Sequence, residues 1–325
     1  MAMVSIFILG NYIRFVKGVF AMSVIEIATP GTSLAVRKGM LSVNATLIPV
    51  EDIDLVIAET AAVSVSGAVL ALLAENGVEF VTCDTRHRPV ASLFPVAAGA
   101  TLAPRILRRQ AALTPRRRRA LWRRIVQAKL RMQAAALPQQ SHAARRLIRL
   151  SGEIAPGDPG NIEAQAARLY WPALLGSDFR RHASDDANAM LDFGYAVVRA
   201  VISRQLHAAG LHRSLGLHHE NEENDGNLSD DLIEPFRPVV DTRVRALLTE
   251  GAEMDKQTRA RLAELPDWPV KSGREWVRCR TAAARLARSL RDAIDGGGTA
   301  LVLPDSIGSE DDAGRMAEDV GSRIL

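Results

Sequence analysis

Cysteine is nearly missing: Cys83 and Cys279 are the two in 325 residues, far apart and outside any C-x-x-C pair. Zinc and redox-thiol sites therefore have no support, and a reducing, cytoplasmic compartment fits. Aromatics reach only 5%, so a core must rest on Ala, Leu, Val and Ile. Long apolar runs are absent too. The opening MAMVSIFILGNYIRFVKGVFA is interrupted by Asn11, Arg14 and Lys17 and is too short to span a bilayer. No G-x-S-x-G elbow and no G-x-x-x-x-G-K-[ST] loop occurs, which removes acyl-transfer and ATP-driven readings. Acid is missing from one long segment. Pro104 to Leu150 holds fourteen Lys and Arg and no Asp or Glu, whereas Asp305 to Asp319 is acid-rich, in a chain of net charge +4. That asymmetry favours a polyanion partner for the middle of the chain.

What is present divides by texture. Residues 22–96 read as short strands: Val24 to Ile27, a hairpin turning at Lys38-Gly39, Thr46 to Pro49, Leu55 to Ile57, Val63 to Val65, Val78 to Thr82 and Val90 to Phe94. One helix, Gly67 to Glu75, is closed by Asn76-Gly77. Residues 97–104 form a linker, and 105–295 read as almost entirely helical. Pro115 suits the first turn of a helix reaching about Ala136, with Leu121, Trp122, Ile125, Val126 and Leu130 as its apolar stripe. Further helices are expected over Ala143 to Leu150, Ile162 to Tyr170 behind an Asn161 N-cap, Asp185 to Ala209, Val239 to Leu248, Asp255 to Leu265 and Arg274 to Ile294. Residues 1–21 are expected to be an upstream extension, disordered or loosely helical, or a start site set too early. Residues 296–325 form a tail with no assigned chemistry. The expected class is α+β, a small N-terminal β-sandwich-like domain followed by a larger all-α catalytic domain.

Chemistry concentrates in Gly216 to Pro238, GLHHENEENDGNLSDDLIEPFRP. Two histidines precede a polar loop, then Asp231 and Glu234 follow three residues apart at helical spacing. Imidazole with carboxylates suits a divalent metal. Glu163, in the first turn of another helix among Ala164, Ala166 and Ala167, is a third candidate. Carboxylates near helix starts also merely complement the dipole, which is the competing explanation. Arg108, Arg109, Arg116, Arg117, Arg123 and Arg124 are candidate phosphate contacts as a group, since guanidinium forks match phosphate oxygens and no acid at i,i+4 relieves their repulsion. His87, His142, His182, His207 and His212 have no assignable carboxylate partner.

These residues resemble the family of CRISPR-associated endonuclease/integrases that insert new spacers, CRISPR-associated protein one. The matching pieces are IPVEDIDLVIAE (Ile48 to Glu59), NGVEFVTCDTRHRPVASLFP (Asn76 to Pro95), EAQAARLYW (Glu163 to Trp171), ANAMLDFGYAVVRAVI (Ala187 to Ile202), LGLHH (Leu215 to His219) and DDLIEPFRPVVD (Asp230 to Asp241). The paired histidines and the EPFRP form look most like members from type II systems. The resemblance implies a β-rich N-terminal dimerisation domain, a helical catalytic domain, and Mg²⁺ or Mn²⁺ held by Glu163, His219 and Glu234, with His218 open as the alternative ligand. It implies auxiliary roles for Asp231, and a DNA path lined by Arg168 and Tyr170. Implied partners are protospacer and repeat DNA, a second copy of the chain, a small second adaptation subunit and type II effector components, with no membrane. The implied reaction is attack of a protospacer 3′-hydroxyl on a phosphodiester of the CRISPR array. A non-catalytic DNA-binding scaffold and a branched-DNA repair nuclease are the other readings.

Overall fold

The computed structural model describes residues 7–8, 11–15, 24–50, 53, 55–76, 78–84, 89–93, 103–296, 298–309 and 312. Contacts within the chain separate two units, with the break between Ala98 and Gly99.

The N-terminal unit opens with two strands, β1 (Phe7–Ile8) and β2 (Asn11–Phe15), where a disordered or loosely helical extension is expected. The Ile13-Arg14-Phe15 alternation suits a strand, and β2 pairs antiparallel with β3 (Val24–Ile27), Ile13 opposite Ile27. The rest of residues 1–21 lies outside the described residues. Four strands follow: β4 (Thr32–Arg37), β5 (Met40–Val43), β6 (Thr46–Ile48) and β7 (Leu55–Ala58). Then come β8 (Val63–Val65), α1 (Gly67–Glu75), β9 (Glu79–Cys83) and β10 (Pro89–Leu93). One sheet runs β1-β2-β3-β7-β9-β10, the other β6-β5-β4-β8. The β4–β5 hairpin turns on Lys38 and Gly39, both at positive φ, as a two-residue turn matched to strand twist requires. The four residues of β7 are all buried, as suits a strand paired in parallel on both sides. A single core joins the sheets and α1, with Ile25, Ile27, Val56 and Phe80 from one sheet and Leu34, Leu41, Val43 and Ile48 from the other.

The second unit is helical: α2 (Ala103–Ala111), α3 (Pro115–Ala135), α4 (His142–Glu153), α5 (Ile162–Leu175), α6 (Asp186–Ala208) and α7 (Asn227–Ile233). A 3-10 turn over Glu234–Phe236 leads into α8 (Arg237–Thr249), then α9 (Lys256–Ala263). Thr114 caps α3, its side chain accepting from the Arg117 amide, with Pro115 in the first turn. Helix α6 buries Met190, Leu191, Val198, Val201, Ile202 and Leu206 and packs against α7, α8, α9 and the last helix of the unit.

Two expectations fail near the C-terminus. The last helix does not begin at Arg274. A hairpin comes first, β11 (Pro269–Ser272) and β12 (Glu275–Arg278), turning at Gly273 with φ +70°, and the helix α10 spans Cys279–Gly296. The Ser-Gly pair and the alternation through Trp276, Val277 and Arg278 carry the strand signal. The segment after Gly296 is also more than a tail: β13 (Pro304–Ile307) adds to β11, Ile307 opposite Val270, and completes a three-stranded sheet. Among the described residues, no helix is long and apolar enough to cross a membrane.

Candidate active site

Helix α3 presents one stripe to the site, Arg118, Trp122, Ile125 and Lys129, at helical spacings of four, three and four. Each member has a different job. Arg118 pairs with Glu220. Trp122 is buried and stacks on His218, ring centroids 4.4 Å apart and nearly parallel, while meeting His219 edge-on at 6.0 Å. Ile125 is core. Lys129 puts its ammonium 2.5 Å from Glu163 Oε1 and 2.5 Å from Glu234 Oε2. Two such contacts on one nitrogen leave the carboxylate oxygens no more than about 5 Å apart. Glu163 comes from the first turn of α5 and Glu234 from the 3-10 turn, so the fold joins two acids seventy-one positions apart.

The first turn of α5 is held differently from expectation. Asn161 stands at the N-cap in a left-handed conformation and its side chain makes no capping bond. Instead the Asp158 carboxylate accepts from the amides of Ile162 and Glu163, at 2.9 Å each. An acid three residues further back thus fixes the helix start and the backbone of Glu163.

Glu234 is buried. Burial alone would push its carboxyl up, but the charges of Lys129 and Arg237 overcome it and hold the group down at about 2. For Lys129, burial works against the charge and the two glutamates outweigh it, so its pKa is raised. Arg237 Nε donates to Glu234 Oε1 at 2.8 Å, and its guanidinium lies 4.5 Å over the Tyr195 ring. Beyond it, Asp241 is wholly buried and accepts from Tyr170 Oη at 2.8 Å and from Tyr195 Oη. Burial pushes the Asp241 carboxyl up to about 6, against the pull of both tyrosine bonds.

On the other side, Asp231 is wholly buried under the histidine loop. It accepts from the backbone amides of Leu217, His218 and His219, and from His219 Nδ1 at 2.8 Å. That last hydrogen bond, opposed by partial burial, raises the His219 pKa. His219 also lines a cleft of ≈ 500 Å³ shared with Gln110, Arg118, Glu220, Asn221 and Asn227.

Set against the expected site, the structure brings Glu163, Glu234 and Lys129 together and places His219 on Asp231, with the Glu234 charge contributing to the histidine's raised pKa. His218 is occupied by packing on Trp122. Among the described residues, no group of three or more His, Cys, Asp or Glu side chains is arranged to hold a metal ion. Tyr170 is a correction: it is fully buried with its hydroxyl on Asp241, so it does not line a DNA path. Arg168, on the same helix, is exposed. The arginine group also divides. Arg109 pairs with Asp295 at 2.7 Å, and Arg117 donates to the Ala293 carbonyl at 2.7 Å, so both tie α10 down at its C-terminal end. Arg108, Arg116 and Arg124 are exposed and Arg123 half-buried. Sequence reasoning missed Lys129, Arg237, Tyr195 and Asp241. Lys129 did carry a signal: it is the one lysine between Pro104 and Leu150 and sits on the apolar side of α3, where a charge needs a partner.

The sequence matches the model of the family described as CRISPR associated protein Cas1 over residues 25–262. The CRISPR-associated endonuclease Cas1 of Neisseria meningitidis serogroup C (strain 8013) is 34% identical over 264 residues, covering 79% of this chain and 86% of the relative. Among solved structures, a casposase bound to integration product shares the fold with a TM-score of 0.74 at 17% identity, covering 92% of this chain and 99% of the other. A chain of a Cas6-RT-Cas1–Cas2 complex does so with a TM-score of 0.69 at 14% identity, covering 91% of this chain and 37% of the other. By the extent of the family match and the identity to the meningococcal protein, this chain belongs to the Cas1 family of CRISPR-associated proteins.

Proposed function

We propose that this protein is a metal-dependent DNA endonuclease and integrase that inserts protospacer DNA into a CRISPR array. The observation that carries the reading is the meeting of Glu163 and Glu234 on one cationic centre, with His219 oriented by Asp231 and within the electrostatic reach of Glu234. Carboxylate oxygens with one imidazole nitrogen are donor types that a divalent ion such as Mg²⁺ or Mn²⁺ takes. Glu234 Oε2 is buried against the Lys129 ammonium at 2.5 Å, so the fold already accommodates a cation at that oxygen. Asp231 accepts a hydrogen bond from His219 Nδ1–H, which would favour that tautomer and leave Nε2 as the ligating atom. Glu163, His219 and Glu234 would hold Mg²⁺ or Mn²⁺, with imidazole making manganese at least as suitable. The ion, when bound, would lower the pKa of the attacking hydroxyl, polarise the phosphoryl oxygen and stabilise the leaving alkoxide.

The chain's own residues do the rest. Asp231 keeps the imidazole oriented, and Lys129 together with Arg237 keeps Glu234 ionised. Arg108, Arg116, Arg123, Arg124 and Arg168 are candidates to hold the phosphodiester backbone. In the reaction a protospacer 3′-oxygen forms a new ester to phosphorus, the existing P–O bond breaks, and the departing 3′-oxygen takes up a proton. The N-terminal unit would serve dimerisation. DNA and a Cas2-type subunit are the expected partners, by analogy with the complexes in which similar folds occur.

The test is an integration assay with the partner subunit, a repeat-bearing supercoiled plasmid and Mg²⁺ or Mn²⁺. Glu163→Ala and Glu234→Ala should abolish product while leaving DNA binding largely intact; full rate in either would reject the site. A second reading, a non-catalytic DNA-binding scaffold, draws on the ammonium that stands between the two acids. It predicts function that persists in EDTA.

A further inference from the structure

We propose that Lys129 is a tethered counter-ion that occupies the cation position between Glu163 and Glu234 in the metal-free protein and must withdraw before a divalent ion binds. This inference rests on the metal-dependent reading above and concerns how that site is switched on. Lys129 is thereby a positioning residue that sets the metal concentration the site responds to.

Three observations carry it. First, one ammonium contacts both carboxylates at 2.5 Å, with its side chain only 14% exposed, so it is the cation that lets two buried or half-buried acids stand within about 5 Å of each other. Second, the Lys129–Glu234 contact is made by a compact point charge at the end of a four-carbon stem, so another cation can take its place on the same oxygen. Third, the two cations on the glutamates differ in how firmly they are held. Glu163 and Glu234 carry two negative charges, Lys129 and Arg237 two positive ones, and Arg237 is fixed by its bond to Glu234 and its stacking on Tyr195. Only Lys129 is on a flexible stem able to leave. Exchange of its single charge for a divalent ion would add one positive charge at the two glutamates, which favours an incoming phosphodiester. Ammonium and divalent ion cannot share the two oxygens, because like charges at that distance repel strongly in a poorly solvated site.

A tethered competitor lowers apparent affinity by the fraction of molecules in which it is withdrawn. Lys129→Gln should therefore bind Mn²⁺ about tenfold more tightly, or better, than the native chain by isothermal calorimetry. Its metal-free melting temperature should fall and its Mn²⁺-induced gain in melting temperature should exceed the native gain. Lys129→Arg, which keeps the charge in a less displaceable form, should restore metal-free stability without tightening Mn²⁺ binding. A measurement on the unaltered chain needs no variant to fold: the ¹⁵Nζ resonance of Lys129 should lose its carboxylate-bound shift on addition of diamagnetic Mg²⁺. Unchanged or weaker Mn²⁺ binding in Lys129→Gln, or a Lys129 resonance indifferent to Mg²⁺, overturns the proposal. Glu163→Gln with Glu234→Gln separates the two failures. If that double variant binds Mn²⁺ like the native chain, the metal-site reading itself is wrong. If binding needs both glutamates yet ignores Lys129, only the counter-ion role is rejected.

Discussion

Asp231 accepts four hydrogen bonds through two oxygens while fully buried, which makes it the anchor of the histidine loop. An asparagine there keeps one acceptor, so at least two donors lose their partner. Asp231→Asn should cost about 2–6 kcal/mol in urea unfolding, since each unmatched buried donor costs about 1–3 kcal/mol. Strand transfer should fall with it, because His219 loses its orienting partner. Asp241 makes a separate, pH-dependent case. Its folded pKa of about 6 lies above the ordinary 3.8, so the folded chain holds a proton the unfolded chain has released between those values. The stability this group contributes is present below pH 4 and is lost as pH rises through 6, roughly 3 kcal/mol in all. Unfolding curves at pH 4 and pH 7 should thus show the native chain losing that amount relative to Asp241→Asn; parallel pH profiles would contradict it. Residues like these were legible as acids and not as partners. The motif placed Asp231 near the site, but nothing in the chain says that Tyr170 and Tyr195 converge on Asp241.

At the scale of elements, the histidine loop works because Gly216 lets it fold back on itself. A β-carbon at that position would sit 2.2 Å from the His219 carbonyl oxygen, a backbone atom that cannot yield without moving the loop. Gly216→Ala should therefore displace His219 and suppress strand transfer while DNA affinity holds, a pattern that gel-shift and integration assays on one preparation would reveal. Helix α3 was legible as an element from its cap and apolar stripe, and its arginines hid its most consequential cation. The counting of basic residues treats Lys129 as one more surface charge, whereas its position on the buried side sets it apart. The Arg274 region reads as helix because charged residues at helical spacing mask the shorter alternation of β12. Gly273, with its positive φ, is the residue that decides it.

For the molecule as a whole, basic charge serves two purposes. Arg109 and Arg117 brace α10, whereas Arg108, Arg116 and Arg124 face solvent. Replacement of the exposed three by glutamine should weaken DNA binding and flatten the plot of log affinity against log salt by roughly 2–3 units, at about 0.9 for each phosphate no longer neutralised. Replacement of Arg109 and Arg117 should instead lower the melting temperature with little change in that slope. The change from strand to helix texture near residue 100 was readable because small residues and Pro104 separate alternating from 3.6-residue patterns. The late sheet was not, because its third strand arrives after a helix. That strand, β13, carries a practical corollary for anyone shortening the gene. Its backbone covers the flank of β11, and the Gly308 carbonyl just beyond it accepts a hydrogen bond from the Trp268 indole N–H. A stop codon after Gly296 would bare that flank, and an uncovered ladder of amides and carbonyls invites sticky self-association during overexpression.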